Sequence, residues 1–481
     1  MNPLLVVDNP SRWSLLIPGI ETVSSYAYLS DPEFAGGPGR KVFNLCRSFK
    51  YQAQGYYVSL LAEARGHRPL PSIAAIQDLK LAPVIKLVSQ ELDELIRTDL
   101  RRIKSDTFEL SIYFGHNLSE SHDKLALALF NAFPAPLLRA KFERDGDWRL
   151  SGIRVLGFGD VPESHHRFIA DQAVRYVKRV PKRSKSSPPT RFDLAILHDP
   201  SDPMPPSGMP AIKKFIAAGE SLGINCELID KSAYGRIAEY DALFIRETTY
   251  VNHWTYRFAR RAEAEEMVVI DDPRSIMRCT NKVFLAETMA RHRVATPRTL
   301  VLTKENAMAG LQTLGFPCVL KLPDSSFSNG VSRVDKESDA PGMLASCFET
   351  TDLLVAQEYV PTDFDWRIGV LGGKALFACR YGMAAEHWQI IKRDADGVHE
   401  GDSETMLVED APKEVIKLAV RASNLMGDGL YGVDIKIVKG KPVIIEINDN
   451  PNIDAGVEDA ALGDELYLRI MQHFFWKLES R

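Results

Sequence analysis

Short apolar runs alternate with helix-like segments over the first part of the chain. The runs LLVV, SIYF and GIRVLGFG have the length and composition of strands, and residues 85–103 have the spacing of a helix. This alternation predicts an independent α/β domain over residues 1–180. The segment PKRSKSSPPTR at 181–191 has no apolar position and is rich in proline and serine, so we interpret it as a solvated linker.

After the linker the alternation becomes regular. The strand patterns FDLAIL, INCELID, DALFIR and MVVIDDP occur together with helical patterns over residues 211–222 and 254–265. Strands that alternate with helices imply a mostly parallel sheet covered on both faces, and we therefore predict a Rossmann-like lobe over residues 192–275. The lobe lacks a GxGxxG turn, so nothing in it indicates dinucleotide binding.

Near the C-terminal end the pattern changes to alternation with a period of two. In VIIEINDNPNIDAG, side-chain oxygens stand at every second position, on Glu446, Asn448 and Asn450. Because successive side chains of a strand point to opposite faces, these three share one face, and Ile445 and Ile447 share the other. A row of oxygen ligands on one strand face is unusual for an ordinary core strand.

The preceding strand pattern GLYGVDIKIV predicts an antiparallel hairpin with a turn around residues 439–441. A three-residue loop would place Asp434 directly opposite Glu446, whereas a two-residue loop would shift the register by one and separate them. Two facing carboxylates beside Asn448 predict a cation, and an all-oxygen ligand set suits Mg²⁺ or Mn²⁺ rather than zinc. The alternative is a solvent-facing acidic hairpin without a metal.

Two lysines upstream are candidates for phosphate binding. A Mg²⁺ ion held by few carboxylates leaves coordination positions for phosphate oxygens. Lys321 ends a strand pattern and precedes the loop SSFSNG, whose backbone N–H groups and hydroxyls would suit a triphosphate. Lys282, at the head of a helical pattern, is the second candidate.

Two further strand patterns follow: LLVAQEYV ends in Gln357 and Glu358, and DFDWRIGV carries Asp365 and Arg367 on one face. The order of Lys282, Lys321, QEYV, DWR, GVDIK and EINDNPN resembles the ATP-grasp superfamily, most closely the RimK-like carboxylate–amine ligases. The resemblance covers roughly residues 192–481. The N-terminal stretch is similar to the domain found in front of some RimK-like ATP-grasp proteins.

The resemblance implies a fold class and a division of the chain. The expected class is α/β, with an N-terminal α/β domain over residues 1–180 and a linker over 181–191. A Rossmann-like pre-ATP-grasp lobe over 192–275 and a two-lobed α+β ATP-grasp domain over 276–481 would follow.

The resemblance also implies roles for single residues. Those implied for ATP are Lys282 and Lys321 at the phosphates, Gln357, Glu358, Tyr359 and Val360 along the adenine, and Asp365 at the ribose. Those implied for Mg²⁺ are Asp434 and Glu446 for one ion, and Glu446 and Asn448 for a second. The catalytic residues implied are Arg367 and Arg380, which would stabilise the transferred phosphoryl group and the tetrahedral oxyanion.

The reaction implied is ATP-dependent amide formation. A substrate carboxylate attacks the γ-phosphate to give an acyl phosphate and ADP, and an amine then displaces phosphate. The implied cofactors are ATP and Mg²⁺ (or Mn²⁺), and the implied substrate is an amino acid, a peptide or a protein terminus. One alternative is a regulatory or scaffold protein that keeps the fold and ATP without turnover, and another is a phosphotransferase.

Two segments depart from the family pattern. The loop SSFSNG has fewer glycines than the family usually shows. The stretch EHWQIIKR stands where the ribosomal-protein glutamate ligase has Arg and Asn, so that His387, Gln389 and Lys392 are the polar substitutes. His387 is alternatively a solvent-facing strand residue.

Composition and charge mainly exclude classes of function and location. The chain has 481 residues and a formal net charge of -5, with a pI near 6.2, so attraction to nucleic acid or to anionic membranes is not a global property. A long apolar run and a basic leader are both missing, so we expect a cytoplasmic protein without a membrane span. The six cysteines contain no CxxC pair and are interpreted as core thiols.

Two basic segments leave alternatives open. The residues from Arg167 to Arg191 either contact nucleic acid or an acidic partner, or form a charged linker after a surface helix. The stretch from Arg40 to Arg68 either holds an anionic substrate or presents a solvated basic face.

Overall fold

The computed structural model describes residues 3–12, 17, 19–36, 40–178, 191–202, 205–324, 330–383, 391–394 and 397–480. Its internal contacts divide the chain into two compact units. The first unit comprises Met1–Ser186 with Ser232–Glu239, and the second comprises Ser187–Lys231 with Tyr240–Arg481. Apart from Arg191, the predicted linker lies outside the described residues.

The first unit begins with a four-stranded parallel sheet. Its strand order is β2-β1-β3-β4, and the continuous apolar run of the first strand is completely buried, as expected of a sheet covered on both faces. The strands are β1 Leu4–Val7, β2 Glu21–Ser24, β3 Lys41–Asn44 and β4 Arg68–Leu70. The helices are α1 Ser25–Ser30, α2 Gln54–Ala64 and α3 Ile73–Asp78.

The rest of the first unit is an antiparallel sheet with four helices. The sheet order is β5-β6-β7, and buried and exposed positions alternate along the two long strands of its hairpin. The strands are β5 Thr107–Tyr113, β6 Leu137–Asp145 and β7 Asp147–Val155. The helices are α4 Ala82–Glu91, α5 Asp93–Leu100, α6 Asp123–Ala132 and α7 His166–Lys178.

Several basic residues of the segment 40–68 have partners within the first unit. Arg65 donates from Nη1 to the carbonyl of Tyr28 at 2.6 Å, and the buried His67 shares a hydrogen bond of 2.8 Å with the Tyr28 hydroxyl. Arg40 pairs with Glu21 at 2.6 Å. These side chains therefore hold parts of the unit together.

The second unit begins with a Rossmann-like lobe, which confirms the predicted parallel sheet. The order is β11-β10-β8-β9, and all neighbouring strands are parallel. The strands are β8 Phe192–Leu197, β9 Ile224–Ile229, β10 Ala242–Ile245 and β11 Val268–Ile270. The helices are α8 Met209–Ser221, α9 Trp254–Ala264 and α10 Pro273–Thr280.

Two antiparallel sheets follow, as expected of a two-lobed ATP-grasp domain. The first, in the order β12-β15-β13-β14, ends one strand at Lys321 and another at Glu358. Its strands are β12 Thr299–Leu302, β13 Cys318–Lys321, β14 Val331–Val334 and β15 Leu354–Glu358. Its helices are α11 Lys282–Arg291, α12 Ala307–Leu314 and α13 Ala340–Cys347.

The second of these sheets has the order β20-β17-β16-β21-β22. Its strands are β16 Phe364–Leu371, β17 Lys374–Gly382, β20 Ser403–Met406, β21 Leu430–Val438 and β22 Lys441–Asp449. A separate pair is formed by β18 Ile391–Asp394 and β19 Gly397–Glu400. The helices are α14 Lys413–Ser423 and α15 Asp464–Glu479. None of the described helices is long and apolar enough to span a bilayer.

The turn of the β21–β22 hairpin differs from the prediction. The loop has two residues, Lys439 and Gly440, with φ of +49° and +79°, as a two-residue turn of type I′ requires. That loop alone would separate Asp434 from Glu446. A β-bulge, in which Ile445 is the extra residue, restores their direct pairing. The predicted three-residue loop is wrong, and the expected pair forms through the bulge instead.

Candidate active site

A cavity of about 600 Å³ lies in the second unit, and the predicted site residues meet there. They come from distant parts of the sequence because the ends of β13 and β15 and one face of β16, β21 and β22 border the same space. The predicted residues that line it are Lys282, Lys321, Gln357, Glu358, Tyr359, Val360, Asp365, Arg367, Asp434, Glu446 and Asn448. Arg380 is the predicted residue that is not among them.

Asp434 is held by two neighbouring strands. The guanidinium of Arg367 binds it in bidentate fashion, with Nε to Oδ1 at 2.7 Å and Nη2 to Oδ2 at 2.9 Å, and Asn448 Nδ2 donates to Oδ2 at 3.1 Å. Burial alone would lower the pKa of Arg367, but the charge of Asp434 outweighs it and raises that pKa. The geometry is the fork-to-carboxylate pairing that arginine prefers.

Two buried lysines stand beside Glu446. Lys282 Nζ lies 2.9 Å from Glu446 Oε1. Burial lowers the pKa of Lys321 to about 8, and the charge of Lys282 adds to the shift although Glu446 opposes it. Burial would raise the pKa of Glu446, but the two lysines outweigh burial and lower it. The cavity therefore holds two cationic side chains close together, which suits a polyanion such as a triphosphate.

The residues predicted for adenine lie at the end of β15. Gln357 Nε2 donates to Thr299 Oγ1 at 3.0 Å, and the Glu358 carboxylate accepts from the backbone N–H of Arg298 at 3.3 Å. Tyr359 lies under the guanidinium of Arg333, at 5.1 Å. These contacts fix the edge of the cavity.

Asp365 has a partner that the sequence did not indicate. Lys436 Nζ lies 2.7 Å from Asp365 Oδ1, and Thr362 Oγ1 donates to the same oxygen at 3.0 Å. Burial raises the pKa of Asp365, and Lys436 opposes this shift. Lys436 is two residues from Asp434 on the same strand, so the period-two pattern of GVDIK was the available signal.

Arg380 lies on the other face of the sheet, so the structure does not support its predicted catalytic role. In the antiparallel register Arg380 pairs with Trp366, whereas Arg367 pairs with Cys379. Its guanidinium lies 4.8 Å from the Trp366 ring, and its Nη1 donates to Glu404 at 3.3 Å. Adjacent strand positions point to opposite faces, and this alternation separates the two arginines.

Tyr381 and Glu458 also line the cavity, and the sequence patterns did not indicate either residue. The Tyr381 hydroxyl donates to Glu458, and the Arg367 guanidinium lies 5.1 Å from the Tyr381 ring. Burial raises the pKa of Glu458. The alternation within RYG placed Tyr381 on the face opposite Arg380, but no pattern marked Glu458.

Asn450, the third oxygen of the strand pattern, has a structural role. Arg246 is fully buried and donates from Nη1 to Asn450 Oδ1 at 2.7 Å and from Nη2 to the carbonyl of Pro451 at 2.8 Å. Asn450 Nδ2 donates to the carbonyl of Glu247 at 2.5 Å. Burial lowers the pKa of Arg246 to about 10. These contacts attach the loop after β22 to the Rossmann-like lobe.

Two predicted features involve parts of the chain outside the described residues. Residues 325–329 of the SSFSNG loop lie outside the described residues. The side chains of His387, Gln389 and Lys392 also lie outside them.

The donor set fits magnesium in its chemistry. Asp434 and Glu446 supply carboxylate oxygens and Asn448 a carboxamide, and each carboxylate contacts a cationic side chain. Across the described ranges no group of three or more His, Cys, Asp or Glu side chains is arranged as a metal site. Two carboxylates and a carboxamide would therefore need phosphate or water oxygens to complete the coordination, as Mg²⁺ commonly has.

Comparison with known proteins decides the family. Residues 25–172 match the RimK-like ATPgrasp N-terminal domain, and residues 279–464 match the RimK-like ATP-grasp domain. The chain belongs to the RimK-like ATP-grasp family. ATP-grasp ligases bind ATP.

Relatives of this RimK-like ATP-grasp protein are named as ligases. The "Probable alpha-L-glutamate ligase 2" of Pseudoalteromonas atlantica is 27% identical over 267 residues, which are 52% of this chain and 86% of the relative. A "Probable alpha-L-glutamate ligase" of Marinomonas is 25% identical over 280 residues, 54% of this chain and 90% of the relative. The family and these names support the predicted ATP-dependent carboxylate–amine ligase.

Structural comparison aligns each of two solved structures with 60% of this RimK-like ATP-grasp protein. D-alanine–D-alanine ligase from Bacillus anthracis complexed with ATP has a TM-score of 0.46 at 16% identity, with 98% of that chain covered. D-cycloserine synthetase DcsG has a TM-score of 0.47 at 17% identity, with 99% of that chain covered.

Proposed function

We propose that the cavity binds Mg-ATP and joins a carboxylate to an amine through an acyl phosphate. The observation that carries the proposal is the cluster in which two facing carboxylates, Asp434 and Glu446, contact Arg367 and Lys282 beside the buried Lys321. Nucleotide binding alone does not require an arginine fork on a metal-ligand carboxylate. Phosphoryl transfer does require charge neutralisation at the transferred group.

Each predicted residue that lines the cavity then has a role in binding or catalysis. Lys282 and Lys321 hold the phosphates, the segment Gln357–Val360 lies along the adenine, and Asp365 accepts from the ribose. Asp434, Glu446 and Asn448 hold Mg²⁺, which when bound neutralises charge on the phosphates. Lys282 and Arg367, which contact these two carboxylates, would bind phosphate oxygens when the metal is held there.

The chemistry needs positioning rather than a protein nucleophile. A substrate carboxylate oxygen forms a bond to the γ-phosphorus as the bond to ADP breaks. The amine nitrogen then forms a bond to the acyl carbon, phosphate leaves, and the nitrogen loses a proton. Arg367 lies beside Asp434 and would stabilise negative charge on the transferred phosphoryl group.

The substrates proposed are an amino acid and an amine of an amino acid, a peptide or a protein terminus. The names of the relatives, which refer to glutamate, support an amino acid as one substrate. The proposed site of action is the cytoplasm. We also propose the division into domains 1–180, 192–275 and 276–481 with a linker at 181–191.

The experiment is release of ADP and phosphate from the purified chain with Mg-ATP, screened against pooled amino acids and dipeptides. We expect release that depends on a pool, with a product lighter by one water than its two substrates combined. ATP binding without release in any pool would favour the regulatory alternative. A phosphorylated product without an amide would favour the phosphotransferase.

A further inference from the structure

The wall of the cavity near Tyr381 has acidic groups, in contrast to the cationic group formed by Lys282 and Lys321. Glu458 is 1% exposed and Asp454 is half-buried, and both line the cavity. Arg367 stands between the two groups, because its guanidinium binds Asp434 and lies over the Tyr381 ring. One part of the cavity therefore suits phosphate, and another part suits a cation.

Glu458 is held in place by neutral donors. The Tyr381 hydroxyl donates to Oε1, and the backbone N–H of Asp454 donates to Oε2 at 2.7 Å. Asp454 itself accepts from the backbone N–H of Gly208 at 2.8 Å. Within the described residues, neither carboxylate has a cationic side chain within 4 Å of its oxygens. The charges of Arg246 and Arg367 act on Glu458 at longer range. A buried carboxylate without a salt bridge favours a cationic ligand.

We propose that Glu458 and Asp454 bind the ammonium group of the amine substrate and that Tyr381 positions Glu458. This inference rests on the proposed ligase function and names the class of its second substrate, an amine that is protonated when it binds. The acidic pair holds the amine near Arg367, where the acyl phosphate forms. The ammonium must lose a proton before its nitrogen attacks the acyl carbon, and a carboxylate beside it is a suitable acceptor.

The test compares two nucleophiles. Hydroxylamine is uncharged at neutral pH and traps an acyl phosphate as a hydroxamate, whereas an amino acid arrives with its ammonium group. The full chain is given Mg-ATP and pooled amino acids, with and without hydroxylamine. In Glu458→Gln the ratio of amide to hydroxamate should fall about tenfold to a hundredfold, the effect of losing one charged hydrogen bond.

The controls separate this inference from the proposed function. Tyr381→Phe should shift the ratio in the same direction by a smaller factor. Glu465→Gln, on the exposed face of α15 where Glu465 pairs with Arg469 at 2.9 Å, should leave it unchanged. Equal losses of amide and hydroxamate in Glu458→Gln would overturn the inference alone. Failure of the unmodified chain to form either product would overturn the proposed function and this inference with it.

A second inference comes from a repeat within the chain. The parallel sheets of the two units have the same topology: numbered in chain order, their strands lie side by side as second, first, third and fourth. The helices after the third strand, α2 and α9, have eleven residues each. Their buried positions are Gly55, Val58, Ser59 and Ala62 in one and Thr255, Phe258, Ala259 and Ala262 in the other, each 200 residues apart.

The repeat continues into the helix after the fourth strand. Ser72 caps α3 by accepting from Ala75 N–H, and Asp272 caps α10 by accepting from Ser275 N–H. These caps and their donors are again 200 residues apart. Such agreement in topology, length, burial and capping is not explained by a shared fold class alone, which allows many loop and helix lengths.

The antiparallel hairpins also correspond. The four strands β6, β7, β21 and β22 have nine residues each, and both hairpins have a β-bulge after the fifth residue of the first strand. The loops that follow both contact the segment after the third parallel strand. A Cβ on Gly157 would lie 2.6 Å from the Cα of Arg47, and Asn450 bonds to Arg246.

The active-site positions of the second copy have other residues in the first. The β-bulge aligns Asp434 with Lys141 and Glu446 with Gly152, and the neighbouring strand aligns Arg367 with Glu109. Residues 79–106, all described, contain helices and no strand where the second unit inserts the sheet β12–β15. The buried pair of Arg246 and Asn450 corresponds to Leu45 and Leu156, which are both buried in one apolar cluster.

We infer that the first unit is a reduced copy of the second, whose described residues have no counterpart of the sheet β12–β15 or of the carboxylates Asp434 and Glu446. We therefore expect one nucleotide per chain, bound in the second unit. In the first unit, the apolar residues Leu45 and Leu156 stand where the polar pair Arg246 and Asn450 connects the parallel sheet to the hairpin of the second unit.

The stoichiometry of binding tests this inference. Equilibrium dialysis of the full chain with a non-hydrolysable ATP analogue and Mn²⁺ should give one nucleotide per chain, and Lys321→Met should remove nearly all of it. Photo-crosslinking with an azido analogue should label only peptides after residue 191. A second equivalent of nucleotide, or labelling within residues 3–178, would overturn the inference, whereas no binding at all would overturn the proposed function.

Discussion

Asp434 and Glu446 are directly paired across the β21–β22 hairpin although its two-residue turn would by itself offset them. The β-bulge at Ile445 adds one residue to β22 and so restores the direct pairing. Like charges facing each other destabilise a sheet unless cations compensate. Here Arg367 and Lys282 compensate, at 2.7 and 2.9 Å. Under the proposed function, the two carboxylates would bind a metal in place of these cationic partners.

The first prediction concerns Glu446→Gln. The side chain keeps its shape but loses the charge that faces Lys282 and that the metal needs, so turnover should fall by about a thousandfold or more. The fold should persist, because the change adds no bulk. Product release by coupled assay and the far-ultraviolet circular dichroism spectrum check the two parts. Activity equal to the parent would contradict the proposed metal site.

The second prediction concerns Arg367→Lys. Lysine keeps the charge but lacks the planar fork with which Arg367 would donate two parallel hydrogen bonds to the transferred phosphoryl group, so kcat should fall by about a hundredfold. The matched control is Arg380→Lys on the opposite sheet face, which should change kcat by less than about threefold. A larger effect at Arg380 than at Arg367 would reverse the assignment of the two arginines.

The third prediction is a pH dependence. Lys321 is charged below its pKa of about 8 and neutral above it, so its attraction for phosphate weakens as the pH rises through that value. ATP affinity should therefore fall above about pH 8, and ATP binding near that pH should take up a proton. Calorimetry in buffers of different ionisation enthalpy measures the uptake, and Lys321→Met should abolish it. Uptake that persists in the variant would show that another group titrates.

The fourth prediction concerns the attachment of the loop after β22. Arg246→Met removes a buried guanidinium and leaves Asn450 Oδ1 and the carbonyl of Pro451 without the donor that Arg246 supplies, so the free energy of unfolding should fall by about 2–4 kcal/mol. Urea denaturation measures the change, and the exposed Arg469→Met is the control. Unchanged stability would show that these hydrogen bonds contribute no net free energy.

Sequence patterns were sufficient for the elements but not for register. The apolar runs of β8 and β10 and the alternation in β22 follow from local periodicity, so the parallel lobe and the hairpin were predictable. Which face a residue occupies depends on loop lengths and bulges. The pairing of Arg380 with Trp366 is set by the β16–β17 turn and by a bulge after Gly369. The local periodicity of the sequence does not indicate that bulge.

Contacts between segments that are distant in the sequence could not be predicted from sequence patterns either. Tyr381 and Glu458 are 77 residues apart, and neither stands in a motif whose chemistry implies the other. Lys436 could have been predicted from the sequence more readily, since it shares a strand face with Asp434. Asn450 looked like a third ligand because the alternation continued past the end of the strand at Asp449. Its left-handed conformation, with φ of +47°, directs it instead to Arg246.

The most direct test of the central claim is isotope transfer from the carboxylate substrate. The amino acid or dipeptide that supports ADP release is labelled with ¹⁸O in its carboxylate and turned over with unlabelled Mg-ATP and an amine. An acyl phosphate predicts one ¹⁸O atom in each molecule of inorganic phosphate and an amide that retains the other. Unlabelled phosphate, with amide formation intact, would contradict activation through an acyl phosphate.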